Sequence, residues 1–283
     1  MKKLLFISVF GLALAFTANA QSTNGSIQGN SQWLANQETM PGNIQAFEEN
    51  KGQFVNTVNN WKVIYGCDYQ GTRYLFTDKG IIYSIPEAIK EKVDKDGNNR
   101  GEKDEQEKAK IKMVFHTVAV KWENAGSAIS IEGRGEKPYY FGYADPVNVG
   151  KSIENVKGYE SLIYHNVYPG IDVVYTFHSG KGIKYALKVK AGYSADVIKM
   201  QYDGQNDLSV DAQGDIHIAT VMGDIIDHAP VSTQNNTEVQ SSFKKLSSNE
   251  VGFQFNGLNT ASDLIIDPWT VSPTTGGFVP VDV

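Results

Sequence analysis

The chain has 283 residues, with 26 Lys and Arg against 32 Asp and Glu; its formal charge of −6 becomes −8 once Lys2 and Lys3 leave with a leader. An acidic surface repels phosphate backbones, which excludes nucleic acid as a natural partner. The single cysteine, Cys67, excludes an internal disulfide and a zinc knuckle, and a mature chain of about 260 residues is long enough to bury a core without such staples.

Lys2 and Lys3, the apolar run Leu4 to Phe16 and the small-residue site Ala18-Asn19-Ala20 form a secretory signal over residues 1–20, with Gln21 as the first mature residue. No Cys follows the cut, so no lipid anchor is expected there. No later stretch is apolar enough to span a bilayer. The expected destination is the extracellular space or the outer cell surface. Residues 21–43 are rich in Ser, Asn, Gln and Gly without a period and read as a flexible leader.

A β domain is expected over 44–269. "FEENKGQF" (47–54) opens it, and "WKVIYGCDYQGTRYLFTDKGIIYSI" (61–85) reads as strand, strand, tight turn, strand. The turn falls at 77–80, where Gly80 would supply positive φ. "YGCDYQG" carries no catalytic-cysteine signature, so Cys67 reads as a part-buried strand thiol. Residues 86–112 are dense in alternating charge and are expected to form an exposed insertion between strands. "KMVFHTVAVKW" (112–122) returns to strand. "KPYYFGY" (137–143), "SLIYHNVYPGIDVVYTFH" (161–178), "GIKYALKVK" (182–190), "VIKMQY" (197–202), "LSV" (208–210), "DIHIATV" (215–221), "IIDHAPV" (225–231), "VGFQF" (251–255) and "DLIIDPW" (263–269) follow, with turns at Gly214 and Gly223. Residues 270–283 read as the start of a linker or next domain. The class is all-β: an antiparallel, sandwich-type domain built of hairpins, as one large unit or two packed sub-sandwiches.

The segment "YPGIDVVYTFHSGKGIKYALKVKAG" (168–192) crowds Tyr, His, Asp and Lys together. Its period is two. Ile171, Val173, Tyr175 and Phe177 form one apolar row, and Ile183, Tyr185, Leu187 and Val189 form another. Facing these rows fixes the register: Phe177 pairs with Ile183, Tyr175 with Tyr185 and Asp172 with Lys188, around a loop of three or five residues at Ser179-Gly180-Lys181. Asp172 and Lys188 would form an exposed cross-strand ion pair. Asp172 and His178 stand six residues apart, roughly 20 Å along a strand, too far to act as a catalytic pair.

Other motifs are weak. "DPVNVGKS" (145–152) has Asp145 where a phosphate loop needs Gly, and that carboxylate would repel phosphate. "DKDGNNRGEKDE" (94–105) places Asp94, Asp96, Asn98 and Glu105 at calcium-loop positions. Asn99 stands where Gly belongs, however, and the neighbours are strands, so a solvated charged insertion is the expected reading. His116, His165, His178, His217 and His228 form no metal motif, and His217, between Ile216 and Ile218, is expected to face water. Among the carboxylates, Asp145, Asp172 and Asp227 are natural nominees for acid–base chemistry, yet each fits a turn or strand edge better. Tyr139, Tyr140, Phe141 and Tyr143 could stack on sugars, but core plus rim is the commoner use of such a run.

"FEENKGQF", "GTRYLFTDKGIIYSI", "YYFGYADP", "NVYPGIDVVYTF", "GIKYALKVKAGYSADVIKMQYDG", "LSVDAQGDIHIAT" and "LIIDPW" occur in an order that resembles one family. It is the uncharacterised N-terminal β domain that precedes seven-bladed β-propeller (SBBP) repeats in gliding-motility-associated surface proteins exported by the type IX route. The resemblance covers roughly 44–269. It implies a structural or adhesive role and carries over no catalytic residues. The expectation is a non-catalytic β-rich module of an exported cell-surface protein, acting in protein–protein contact or adhesion. No catalytic, cofactor-binding or metal residues are assigned. Expected partners are other surface, secretion or motility proteins, or a following β-propeller domain. The alternative is a carbohydrate-binding or glycoside-cleaving domain.

Overall fold

The computed structural model describes residues 5–7, 45–91, 110–126, 129–144, 152–178 and 182–273. Among those from 45 onward there are sixteen strands and one short 3-10 turn. The chain enters with β1 (Phe47–Glu49) and runs through a meander of β2 (Val63–Tyr69), β3 (Thr72–Thr77), β4 (Gly80–Glu91) and β5 (Lys110–Trp122). Two long strands, β6 (Ser130–Ala144) and β7 (Ser152–Tyr168), precede the hairpin of β8 (Ile171–His178) and β9 (Gly182–Val189). The 3-10 turn Ala195–Val197 leads into β10 (Lys199–Asp203), β11 (Asp207–Val210) and β12 (Ile216–Thr220). β13 (Gly223–Gln234), β14 (Thr237–Lys245), β15 (Glu250–Asn256) and β16 (Leu264–Val271) complete the body.

The antiparallel all-β class is as expected, and the strands belong to one connected sheet. Its ladders return to their start. From β1 they pass through β2, β3, β4, β5, β10, β15, β14, β13, β16, β9, β8 and β7, and β7 pairs with β1 again. β6 lies outside this circuit on β7, and β12 with β11 branches from β13. Leu5–Ile7 runs parallel to Tyr140–Gly142 of β6.

The 168–192 segment holds two paired antiparallel strands in the expected register. Phe177 opposes Ile183, Tyr175 opposes Tyr185 and Asp172 opposes Lys188, and His178 and Gly182 bracket three residues. Ile171, Val173, Tyr175, Ile183, Tyr185, Leu187 and Val189 are all buried. The core they enter is rich in tyrosine, with Tyr69, Tyr74, Tyr164 and Tyr202 fully enclosed. Buried phenols need partners. The Tyr74 hydroxyl lies 2.8 Å from Ser272 Oγ, and Tyr168 donates at 2.8 Å to the Glu123 carbonyl.

Several boundaries differ from expectation. β4 and β5 stay paired from Gly80–Lys121 out to Glu91–Lys110, so residues 86–91 and 110–112 are strand and not insertion. Ala88 is buried within that extension, so the local charge density hid a usable strand. The segment 92–109, with the calcium-like loop 94–105, lies outside the described residues, as do 21–43 and Asp145. Residues 270–273 belong to the body: Thr270 and Ser272 are buried and hydrogen-bonded to core residues. Gly80 has no positive φ. Glycine is needed there because a Cβ would come within 2.0 Å of the Val120 carbonyl oxygen. β14 was not expected at all. Asn235 and Asn236, with φ of 49° and 61°, make the tight turn that delivers it.

Candidate functional site

β13 turns Ile225 and Asp227 inward, and Asp227 is 4% exposed. Tyr185 donates to Asp227 Oδ2 at 2.6 Å and Thr270 Oγ1 donates to Oδ1 at 3.2 Å. Tyr83, Tyr175, Tyr202, Trp122 and Met200 line an internal cavity around it. Burial raises the Asp227 carboxyl to about 7, against the opposing pull of its two hydroxyl donors. Burial, then the neighbouring carboxylate, pushes the phenols of Tyr83, Tyr185 and Tyr202 well above their ordinary value. A carboxyl near neutrality beside a phenol has the chemistry of a general acid or base. Here both groups bond to each other inside an aromatic enclosure, which is the arrangement of a satisfied core network. Asp227 is therefore neither a turn nor an edge residue, contrary to the sequence expectation.

A second buried acid sits on β1. Glu48 is 8% exposed and accepts a hydrogen bond from the Tyr143 hydroxyl. Burial raises it to about 8. Nearby, Arg73 forks onto Asp68, with Nε to Oδ1 at 3.0 Å and Nη2 to Oδ2 at 3.3 Å, and its guanidinium lies 5.6 Å from the Phe54 ring centre. Cys67, between these groups in sequence, is fully buried, and burial pushes its thiol up, away from the reactive thiolate. Phe141 and Tyr143 close a small core with Ala46 and Val156, Tyr139 packs against it, and Tyr140 is the exposed member of the run. A broad aromatic platform at 139–143 is thus absent.

Four of the five histidines stand beside carboxylates on the outer surface, a feature the sequence reading missed. His116 lies 2.6 Å from Glu87, His165 3.1 Å from Glu132, and His228 2.8 Å from Asp215. His217 is half-buried, with Asp224 at 3.0 Å and Asp211 at 3.1 Å; both bonds raise its pKa. These pairs join residues of different strands, or of a strand and a loop, so no local spacing announces them. His178 and His228 both stack on Trp269, with ring centres at 4.7 and 3.8 Å. Asp172 does not form the expected pair with Lys188. Its carboxylate accepts the Asn166 N–H at 2.8 Å and lies 3.7 Å from His165 Nδ1. Among the described residues, no three His, Cys, Asp or Glu side chains are grouped to hold a metal ion, and no helix is long and apolar enough to cross a membrane.

A family model described as a domain of unknown function, DUF7948, matches residues 47–269. No curated protein and no solved structure matches. The match begins with the first residue of β1 and ends inside β16, so it spans the whole circuit of ladders. This chain belongs to the DUF7948 family.

Proposed function

We propose that this chain is a non-catalytic β module of an exported cell-surface protein, acting in protein–protein contact or adhesion. The observation that carries the reading is the fate of its two strongly raised carboxyls. Asp227 and Glu48 are both buried and both held by tyrosine hydroxyls within the body. The signal over residues 1–20 supports export. The resemblance to domains that precede SBBP repeats supports a place beside a β-propeller, and with it association with type IX secretion or gliding machinery.

The test is expression of the full chain with its leader in an outer-membrane bacterium, followed by fractionation, N-terminal sequencing and cross-linking on intact cells. The expected product starts at Gln21, is reached by external protease and cross-links to a surface protein. Cytosolic retention with the leader intact would refute export. Recovery only as a free monomer would refute the contact role.

A further inference from the structure

A separate concavity of about 210 Å³ opens where β5 and β10 run side by side. Across the ladder Gln201 opposes Lys121 and Asp203 opposes Ala119. Val120, Trp122, Met200 and Tyr202 point to the core, so alternation turns Lys121, Gln201 and Asp203 to the other side. Trp61 and Asn249 complete the lining.

The backbone that carries the indole is held in place before any ligand arrives. Asn59 Oδ1 accepts the Trp61 backbone N–H at 3.0 Å, and Asn56 Nδ2 donates at 3.0 Å to the Trp61 backbone carbonyl. The ring packs against the cluster of Phe54, Leu75, Ile82 and Ala119. Asn249 is fixed by two bonds to Ser247, and its carbonyl accepts the Tyr202 N–H at 2.8 Å.

Two of the polar groups facing this space are unspent. Among the described residues, the Gln201 amide and the Asp203 carboxylate make no hydrogen bond. The Lys121 ammonium is neutralised by Glu123 at 2.7 Å. The groove therefore offers an aromatic wall, an acceptor-only carboxylate, and two amides that both donate and accept. A pyranose ring matches that set. Its C–H face suits the indole, and its vicinal hydroxyls, each donor and acceptor, suit the carboxylate and amides. An anion would meet Asp203 with no free cation in the lining. An apolar peptide would leave Gln201 and Asp203 desolvated without partners.

We infer that this groove binds a neutral saccharide ring, with Trp61 as the stacking wall and Asp203 and Gln201 as hydroxyl ligands. The inference goes beyond the contact role proposed above and stands or falls separately from it. The test is calorimetric titration of the purified chain with neutral cello-, xylo-, manno- and chito-oligosaccharides. Saturable binding of at least one series is expected, weakened about tenfold or more in Asp203→Ala and in Trp61→Ala. Trp61→Ala also removes packing, so Gln201→Ala, at a side chain without partners, serves as the variant that keeps the fold. Three results would each overturn the inference: no saturable binding at millimolar sugar, binding unchanged in Asp203→Ala and Gln201→Ala, or a preference for polygalacturonate over every neutral series.

Discussion

Tyr185 donates a 2.6 Å hydrogen bond to Asp227 inside the core, and this contact ties an acid on β13 to a phenol on β9 across the intervening β16. The two residues lie 42 positions apart in the chain. Burial of that acid, which outweighs the opposing pull of the Tyr185 hydroxyl, makes the stability of this domain depend on pH in a defined direction.

Burial raises the Asp227 carboxyl from 3.8 to about 7, so the fold prefers its neutral form. The unfolded chain releases the proton near 3.8, so this group's contribution is fully present below about pH 4, is lost as pH rises towards 7, and is level above that. The loss is on the order of a few kcal/mol. Glu48, raised from 4.5 to about 8, acts in the same direction. Urea denaturation at pH 5 and pH 8 should show lower stability at pH 8. Asp227→Asn, which keeps an acceptor for Tyr185, should shrink that difference. A wild-type chain equally stable at both values would contradict the assignment.

Gly80→Ala should destabilise sharply, because the added Cβ would meet the Val120 carbonyl oxygen at 2.0 Å. A cost of roughly 3 kcal/mol or more, or failure to fold, is expected. Gly192→Ala is the control, since a Cβ there meets nothing within 4 Å and only its φ of +87° is strained. Thermal unfolding of the two variants should rank Gly80→Ala clearly below Gly192→Ala.

Alternation in β9 predicts opposite outcomes for neighbours. Leu187 is fully buried and Lys188 is exposed. Leu187→Ala should cost about 2–5 kcal/mol, whereas Lys188→Ala should stay within about 0.5 kcal/mol. Similar costs in denaturant titration would mean that the register is wrong.

His217 should titrate above its ordinary value of 6.5, because Asp224 first and Asp211 second hold its protonated form. An NMR pH titration should show this, and Asp224→Asn should bring the midpoint down. A midpoint that does not move would show that the carboxylate lies elsewhere in solution.

The β8–β9 hairpin was readable because each apolar row is unbroken, and slipping by one residue would turn a whole row to water. Asp227 was not readable. It stands in an inward row where period-two reasoning expects an apolar side chain, and its partners come from β9 and β16. β14 escaped because Thr237, Glu238, Gln240, Ser241 and Ser242 give almost no alternation, although the Asn235-Asn236 turn was a usable signal. The groove at Trp61 was hidden for a different reason: it is assembled by pairing β10 with β5, roughly eighty residues earlier in the chain, and no local spacing encodes that pairing.

The returning circuit of ladders sets an order of events during synthesis. β16 alone joins β9 to β13 within it, so the ring stays open until Leu264–Val271 has left the ribosome. Until then the tyrosine-lined interior has no final wall. A nascent chain of this kind therefore stays incompletely closed at least until residue 271 has emerged.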